Sequence, residues 1–552
     1  MISRSSLAHL LAAAFLFLCI AGHAERISWK GSGKYGAVAA GGAGAVAAGI
    51  EILERGGNAA DGAAATILAL AITDYGMFCI GGEVPLIIYS AEKETVEVLS
   101  GLGVAPKLAS YDYFKKVGGI PGGSLKSAAV PAVIDLVVTA LRRHGTMRFA
   151  EAVQPALGLM KSGRNWYADL TRTFNRLIEA EQKFPENREK GLEAVSDRFY
   201  RGDIADELDK WYRENDGLIR KEDLANHVTR IEKPASINYR GYTVYKCDAW
   251  TQGPSLLQAL KLLEGFNLKE MGHLSPDYIH TVTEAMKLAF ADRDRFYADP
   301  LFEKVPMKAL LSDEYTLLRR PLIDLQKASL KVRPGDPHNM KPLLSSRENE
   351  PAAKVKANDT TTCVVADRWG NVIAATPSGW GSRAGAGGST GVTHGTRLIS
   401  LNTWKGHPNV VAPGKRPRIT LTPTLVLKEG KPVLAVSVLG GDKQDQATLQ
   451  LLLDFIEFDM MPAQAVTAPR FATNHLTGSF GQPRPSLGSL TCYNNIEGKV
   501  LDGLRAKGHR LSTTGGVLGY PVMLYIDKSE MLHAAGDPRA RRHAAALRTE
   551  PK

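Results

Sequence analysis

Hydrophobic spacing changes period several times along the chain, and each change marks an element. From Gly36 to Gly82 the sequence GAVAAGGAGAVAAGIEILERGGNAADGAAATILALAITDYGMFCIGG is dense in small residues, which predicts two helices packed backbone against backbone. Gly56 and Gly57 mark the stop of the first, because glycine takes a left-handed cap without strain. The second, buried, starts around Asp61 and ends before Gly81 and Gly82. VPLIIYS and TVEVLSG then predict a strand pair, and LGVAPKLAS leads into a helical region reaching about Leu218. Within it, Asn165 to Asn215 is charged and amphipathic and predicts an exposed helical lobe without chemistry of its own. The run from Tyr239 alternates as a strand, turns at Gly253-Pro254 and takes up helical spacing. Ser275 is a good N-cap with Pro276 in the first turn, and Ile279, Val282, Met286 and Phe290 share one face of the helix that follows. After a polar connector, Lys331 to Asp359, the rest reads as strand-rich: RLISLNTW, the loop GHPNVVAPGKRPR, a hairpin turning at Glu429-Gly430, and PVLAVSV ending at Gly440-Gly441 before a helix.

One stretch offers chemistry: ANDTTTCVVADRWGNVIAATPSGWGSRAGAGG, from Ala357 to Gly388. Thr360, Thr361, Thr362, Val364 and Val365 are β-branched, Asp367 to Asn371 reads as a tight turn, and VIAAT as the return strand. On β-propensity alone the TTT run is the threonine-rich edge of a hairpin. A structure-poor connector running into a threonine that opens a buried hairpin also predicts a precursor cut between Asp359 and Thr360. The cut would put a hydroxyl and an α-amine on one residue. Such an amine titrates near pH ~8, so at neutral pH it can serve as base for its own hydroxyl. Gly440 and Gly441, between strand and helix, can aim two backbone amides at an oxyanion with the helix dipole behind them, or form a plain strand-to-helix turn.

Composition narrows the class. The first 24 residues have a basic start at Arg4, an apolar core from Leu10 to Gly22 and small residues ending at Ala24, the pattern of a secretory signal peptide. No later stretch is long and apolar enough for a membrane helix, so the expected product is periplasmic or secreted, without membrane insertion. At 552 residues with 44% hydrophobic and 23% charged, the chain can bury a large core. Lys+Arg 68 against Asp+Glu 57 gives +11, but KRPR (Lys415 to Arg418) and RARR (Arg539 to Arg542) cluster only modestly and no aromatics interleave, which argues against a nucleic-acid partner. Cys79, Cys247, Cys363 and Cys492 are too widely spaced for a metal site or a dense disulfide framework; they leave room for a single bridge and read foremost as buried free thiols. Glu284, Asp292, Arg293, Asp294 and Arg295 read as structural ion pairs rather than as acid/base catalysts.

Seven segments together resemble the γ-glutamyltransferase (glutathione hydrolase) family of N-terminal-nucleophile hydrolases, along nearly the whole mature length. They are GGNAADGAAA, TEAMKLAFADRDRFYADP, NDTTTCVVADRWGN, PGKRPRITLTPT, the Gly440-Gly441 pair, TAPRF and AAGDPR. The resemblance implies an α+β fold, a four-layer αββα sandwich made as one chain and autocleaved. A large subunit, 25–359, and a small catalytic subunit, 360–552, would share one domain after loss of the leader, 1–24. It implies Thr360 as nucleophile, Ser378 in the place of a second threonine, and Gly440 and Gly441 as oxyanion donors. No metal or organic cofactor is implied.

Departures from the family pattern fall on the substrate side. The run matching the family's carboxylate-binding arginine segment is SGLGVAP, Ser100 to Pro106, without an arginine. The serine pair expected after KRP is replaced, with Ile419 and Thr420 in its place. Trp380, Trp404 and His407 stand where Asn, Gln and Asp would cradle an α-amine. Without a guanidinium and a carboxylate the grip on a zwitterion is lost, and two tryptophans favour an apolar or aromatic acyl group on a small-molecule amide or peptide. The expected activity is therefore amide hydrolysis through an acyl-threonine, hydrolysis being favoured over transpeptidation. Two alternatives stand beside it: a γ-glutamyl hydrolase whose arginine comes from elsewhere, Arg383 or Arg397, and a processed binding protein without catalysis.

Overall fold

The structure, a computed structural model, describes residues 27–161, 163–344, 360–381 and 385–551. The leader, Asp359 and Arg383 lie outside the described residues. Two seven-stranded antiparallel sheets form its centre. The first runs, edge to edge, His543–Leu547, Gly36–Ala40, Cys363–Asp367, Val372–Ala375, Leu86–Ser90, Thr95–Leu99 and Ile231–Glu232. The second runs Lys30–Gly33, Leu532–Gly536, Tyr520–Ile526, Lys431–Leu439, Thr424–Lys428, Tyr242–Lys246 and Ala235–Tyr239.

The layers follow from the period-2 alternation of side chains along a strand. In Cys363–Asp367, Val364 and Ala366 face the second sheet and meet Leu425, Ala435 and Val522 in a core between the sheets. Cys363 and Val365 point the other way, into a core built with helices from the first half of the chain. The outer face of the second sheet, with Val244, Val426, Val436 and Met523, packs on the helices Pro254–Leu263, Pro276–Phe296 and Gln444–Ile456. Helix, sheet, sheet, helix is thus the four-layer αββα order. No helix among the described residues is long and apolar enough to cross a membrane.

The small-residue helices pair as expected: a Cβ on Gly49 of Ala43–Glu54 would lie 2.3 Å from Thr66 Oγ1 of Ala59–Thr73. Asn58, not Asp61, is the N-cap of the second helix, and Asp61 closes its capping box. Asp61 is fully buried and also accepts from Thr146 N, Thr146 Oγ1 and Met147 N. The helix Pro276–Phe296 begins as read, with Ser275 Oγ accepting from Tyr278 N. Two strand readings are corrected. Thr360 to Thr362 precede the strand, which starts at Cys363; the hydroxyls of Thr360 and Thr361 are taken up by Ser378 and Asp74. RLIS, Arg397–Ser400, is a single 3-10 turn, which aims Arg397 inward instead of continuing a ladder. The lobe from 165 to 215 is helical, yet Leu170, Phe174, Leu177, Val195, Phe199 and Tyr212 are buried in the main core, so it is amphipathic rather than peripheral. Its buried face also reaches the site described below.

The four described cysteines are free and buried. Burial also lowers six histidines: His144, His227 and His394 to about 4, His475 and His509 to about 3, and His280 in the same direction. Unfolded histidine titrates near ~6.5, so the unfolded chain binds these protons first. The stability they contribute is complete above pH ~6.5 and is lost progressively as pH falls toward the folded values. Tm measured at pH 7.5, 5.5 and 4.5 is expected to fall steadily; a flat profile would show that these imidazoles are hydrated.

Candidate active site

Thr360 lies just ahead of the strand Cys363–Asp367 and is 2% exposed. Its position is set by the residues after it. Thr361 N donates to Pro377 O at 2.7 Å and Gly41 N to Thr362 O at 3.2 Å, which carries the sheet pairing to the edge of the site. Thr361 Oγ1 donates to the Asp74 carboxylate, and Arg542 Nη1 donates to both Thr361 Oγ1 and Asp74 Oδ2, at 3.0 and 3.2 Å. The end of an N-terminal helix and a turn near the C-terminus therefore pin the residue next to Thr360.

The hydroxyls of Thr360 and Ser378 are 3.0 Å apart and buried, which brings the first two predicted residues together. Ser378 forms a backbone bridge with Glu83, Ser378 N to Glu83 O at 2.9 Å and Glu83 N to Ser378 O at 3.0 Å. The close approach requires glycine on both sides: Gly379 has φ +109, and its Cβ would sit 2.7 Å from Gly82 Cα. Arg397 Nη2 donates to Ser378 Oγ at 2.6 Å and Arg397 Nε to Glu83 Oε1 at 2.6 Å, with both side chains buried.

Gly440 and Gly441 form the turn between the strand Lys431–Leu439 and the helix Gln444–Ile456. Gly441 has φ +58, a conformation that side-chain-bearing residues rarely adopt. Neither amide donates a hydrogen bond to another group among the described residues. The turn is braced from below. Asp442 accepts from Arg293 Nη1 at 2.6 Å and from Ser479 N at 2.9 Å, while Gln252 Nε2 donates to Gly441 O at 3.3 Å. Gln252 Oε1 in turn accepts from Arg293 Nη1 at 2.8 Å. The ring of Phe480 connects this turn to the hydroxyl pair: Phe480 Cε2 would be 3.2 Å from a Cβ on Gly441, and the Arg397 guanidinium lies 5.5 Å from its centroid. Glu284, Asp292, Arg293 and Asp294 are thus ion-paired, as expected, but Arg293 supports the candidate oxyanion turn as well.

The four predicted substrate-side residues are not all gathered in one place by the described contacts. Thr420 Oγ1 is buried with no hydrogen-bond partner among the described residues, while Thr420 O accepts from the Gln444 amide at 2.9 Å. Trp380 packs edge-on against Tyr75 with ring centroids 4.3 Å apart, and Tyr75 stacks on Trp166 at 5.9 Å. Trp404 and His407 belong to a separate turn, ring to ring at 5.4 Å. There His407 Nδ1 accepts from Asn409 N at 3.0 Å, and Asn402 Nδ2 lies at the same distance.

Sequence reasoning missed Glu83, Asp74, Arg542, Phe480 and the aromatic pair Tyr75–Trp166, and it offered Arg397 as an alternative carboxylate-binding arginine rather than as a partner of Ser378. A charge directly after the Gly81-Gly82 pair was the available signal for Glu83. The others sit far from Thr360 in the chain, and nothing local marks them. Among the described residues, His280, Glu284 and His509 have ligand atoms within 4.8 Å of one another. Glu284 is already paired with Lys287 and Arg333, at 2.5 and 2.7 Å, and the imidazoles bond each other at 2.8 Å. Two cations on its one carboxylate make this a poor seat for a divalent ion.

The described similarities agree with this layout. A family model described as Gamma-glutamyltranspeptidase matches residues 45–190 and 187–547. The glutathione hydrolase proenzyme of Escherichia coli (strain K12) is 30% identical over 92% of this chain and 91% of its own. The acylase ACY 1 proenzyme of Pseudomonas sp. (strain V22) is 30% identical over 86% and 87%. Among solved structures, one named LmbA2991HD superposes with a TM-score of 0.86 at 31% identity, covering 93% of this chain and 98% of its own. The cephalosporin acylase of Bacillus halodurans does so with a TM-score of 0.79 at 25% identity, covering 96% and 98%. The chain belongs to the gamma-glutamyltranspeptidase family, a family of amide-cleaving N-terminal-nucleophile hydrolases.

Proposed function

We propose that this chain is a secreted or periplasmic amidohydrolase precursor, cut between Asp359 and Thr360, that cleaves an amide through an acyl-threonine. The observation that carries the reading is the buried Thr360–Ser378 hydroxyl pair at 3.0 Å, tied through Arg397 and Phe480 to the Gly440-Gly441 turn. After the cut, the Thr360 amine takes the hydroxyl proton as Oγ attacks the amide carbonyl. The C=O electron pair moves onto oxygen, and the Gly440 and Gly441 amides receive the oxyanion, each donor contributing ~3 kcal/mol. The intermediate collapses, the C–N bond breaks, and the leaving amine takes the proton from the Thr360 amine. Water, deprotonated by the same amine, then hydrolyses the ester.

The acyl group is read from the pocket side. Trp380, two residues beyond Ser378, is joined by Tyr75 and Trp166, so an aromatic or apolar acyl chain has a surface to lie on. Relatives named acylase support that choice. Hydrolysis over transpeptidation rests on the short segment from Trp404 to Lys415, which leaves little chain to cover an acceptor. Export rests on the leader pattern of residues 1–24.

Intact mass under denaturing conditions tests the processing step. Two fragments, the smaller beginning at Thr360, are expected; one uncut chain from a folded preparation would remove the nucleophile. A panel of chromogenic amides tests the substrate. Phenylacetyl or longer acyl amides are expected to exceed γ-glutamyl amides in kcat/KM by at least ~10²-fold, roughly what a missing bidentate arginine grip costs. Efficient saturable release of glutamate from glutathione would overturn the acyl-group assignment and leave the acyl-threonine step standing.

A further inference from the structure

Glu83 and Arg397 form a buried ion pair that reaches Thr360 through Ser378. The carboxylate and guanidinium are 3% and 2% exposed and joined at 2.6 Å. A buried pair of this kind carries a desolvation cost and is weak as a stabilising device, so its placement asks for another reason. The geometry supplies one. Glu83 holds Ser378 twice, by the two-bond backbone bridge and through the guanidinium it anchors. Arg397 is a pure donor, and its Nη2 occupies a lone pair of Ser378 Oγ at 2.6 Å.

We propose that the Glu83–Arg397 pair is a positioning device that makes Ser378 a hydrogen-bond donor toward Thr360 Oγ1. This rests on Thr360 being the nucleophile. With a cation on its acceptor side, the serine hydroxyl becomes the better donor and poorer acceptor of the two, so its hydrogen points across the 3.0 Å gap to Thr360 Oγ1. The hydroxyl hydrogen of Thr360 is thereby directed to its own amine, the base of the reaction. The same cation, two hydrogen bonds from Thr360 Oγ1, disfavours protonation of that amine and so raises the fraction present as free base at neutral pH. Glu83 offsets enough of the charge for the guanidinium to remain buried. Arg397 is in this account unavailable as the carboxylate-binding arginine of a γ-glutamyl site.

The test uses purified full-length variants, with the processed fraction counted by intact mass and turnover referred to that fraction. Arg397→Gln alone would strand the Glu83 carboxylate, so the decisive variant is the double Glu83→Gln, Arg397→Gln, which removes both charges together. In the double variant kcat on a chromogenic amide is expected to fall ~10²-fold with KM within about 2-fold, the effect of a misaligned nucleophile. The acid limb of the kcat/KM profile is expected to move to higher pH. Arg397→Lys, which keeps a donor and the charge, is expected to recover most of the loss. A rise in KM at unchanged kcat would make Arg397 a substrate ligand and overturn the proposal. So would wild-type kcat and pH profile in the double variant, which would reduce the pair to a structural role. Thr360→Ala run in parallel separates the two readings: turnover in that variant discards the nucleophile, whereas its loss together with an unaffected double variant discards only the positioning device.

Discussion

Thr360→Ala is expected to abolish both chain cleavage and amide turnover, the latter by ~10⁴-fold or more, since the proposed mechanism places nucleophile and base on this one residue. Thr360→Ser keeps the hydroxyl and the amine and is expected to retain both activities at a reduced rate. The alanine variant should stay folded, because the residues that hold this corner of the sheet are its neighbours: Thr361 on Asp74 and Arg542, and Thr362 O on Gly41 N. Its Tm should therefore match that of a slowly processing Thr360→Ser preparation before the cut. Normal cleavage in Thr360→Ala, read by intact mass, would sink the assignment of this residue.

Arg293→Met is expected to cost about 3–5 kcal/mol of stability and to lower kcat as well. Arg293 is fully buried and donates to Asp442, Asp294, Gln252 and the Thr477 carbonyl. Methionine fills much of the volume but leaves the Asp442 and Asp294 carboxylates without their cation, and an uncompensated buried charge carries that order of cost. Asp442 directly follows Gly441, so the loss also loosens the turn proposed to hold the oxyanion. Denaturant midpoints measured alongside kcat on the folded fraction separate the effects. Lost stability with unchanged kcat would leave the helix-end charges purely structural. Unchanged stability would contradict the buried network itself.

The motifs that carried the family resemblance turn out to be contacts between distant segments more than catalytic groups. TAPRF and AAGDPR meet as the buried Arg470–Asp537 pair. FYADP and PGKRP meet as Asp299–Arg416, with Arg416 Nη2 at 2.9 Å from the carboxylate. GGNAAD supplies Asp61 to the amides of Thr146 and Met147. Each motif looks chemically rich in isolation because charge and glycine in a buried setting need partners, and the partner lies 67, 117 or 85 residues away in these three cases.

What the sequence by itself determined is local. Alternation placed the strands around Val364, Leu425 and Val436, small residues placed the two tightly packed helices, and Ser275-Pro276 placed the start of the long helix. Spacing and turn chemistry act over a few residues, so a linear reading can recover them. The threonine and the double glycine were legible for the same reason, each standing at the junction of two local patterns. Only the tertiary structure decided what surrounds them. Glu83, Ser378 and Arg397 come from three separate segments, and their meeting depends on a bridge across the sheet edge and on one 3-10 turn that overrides the strand propensity of RLIS. Trp380 joined Tyr75 and Trp166, while Trp404 went to its own turn with His407, although the sequence set the two tryptophans in one pocket. Side-chain direction across layers is set by packing density and by the need to satisfy every buried donor and charge, and that accounting closes only in three dimensions.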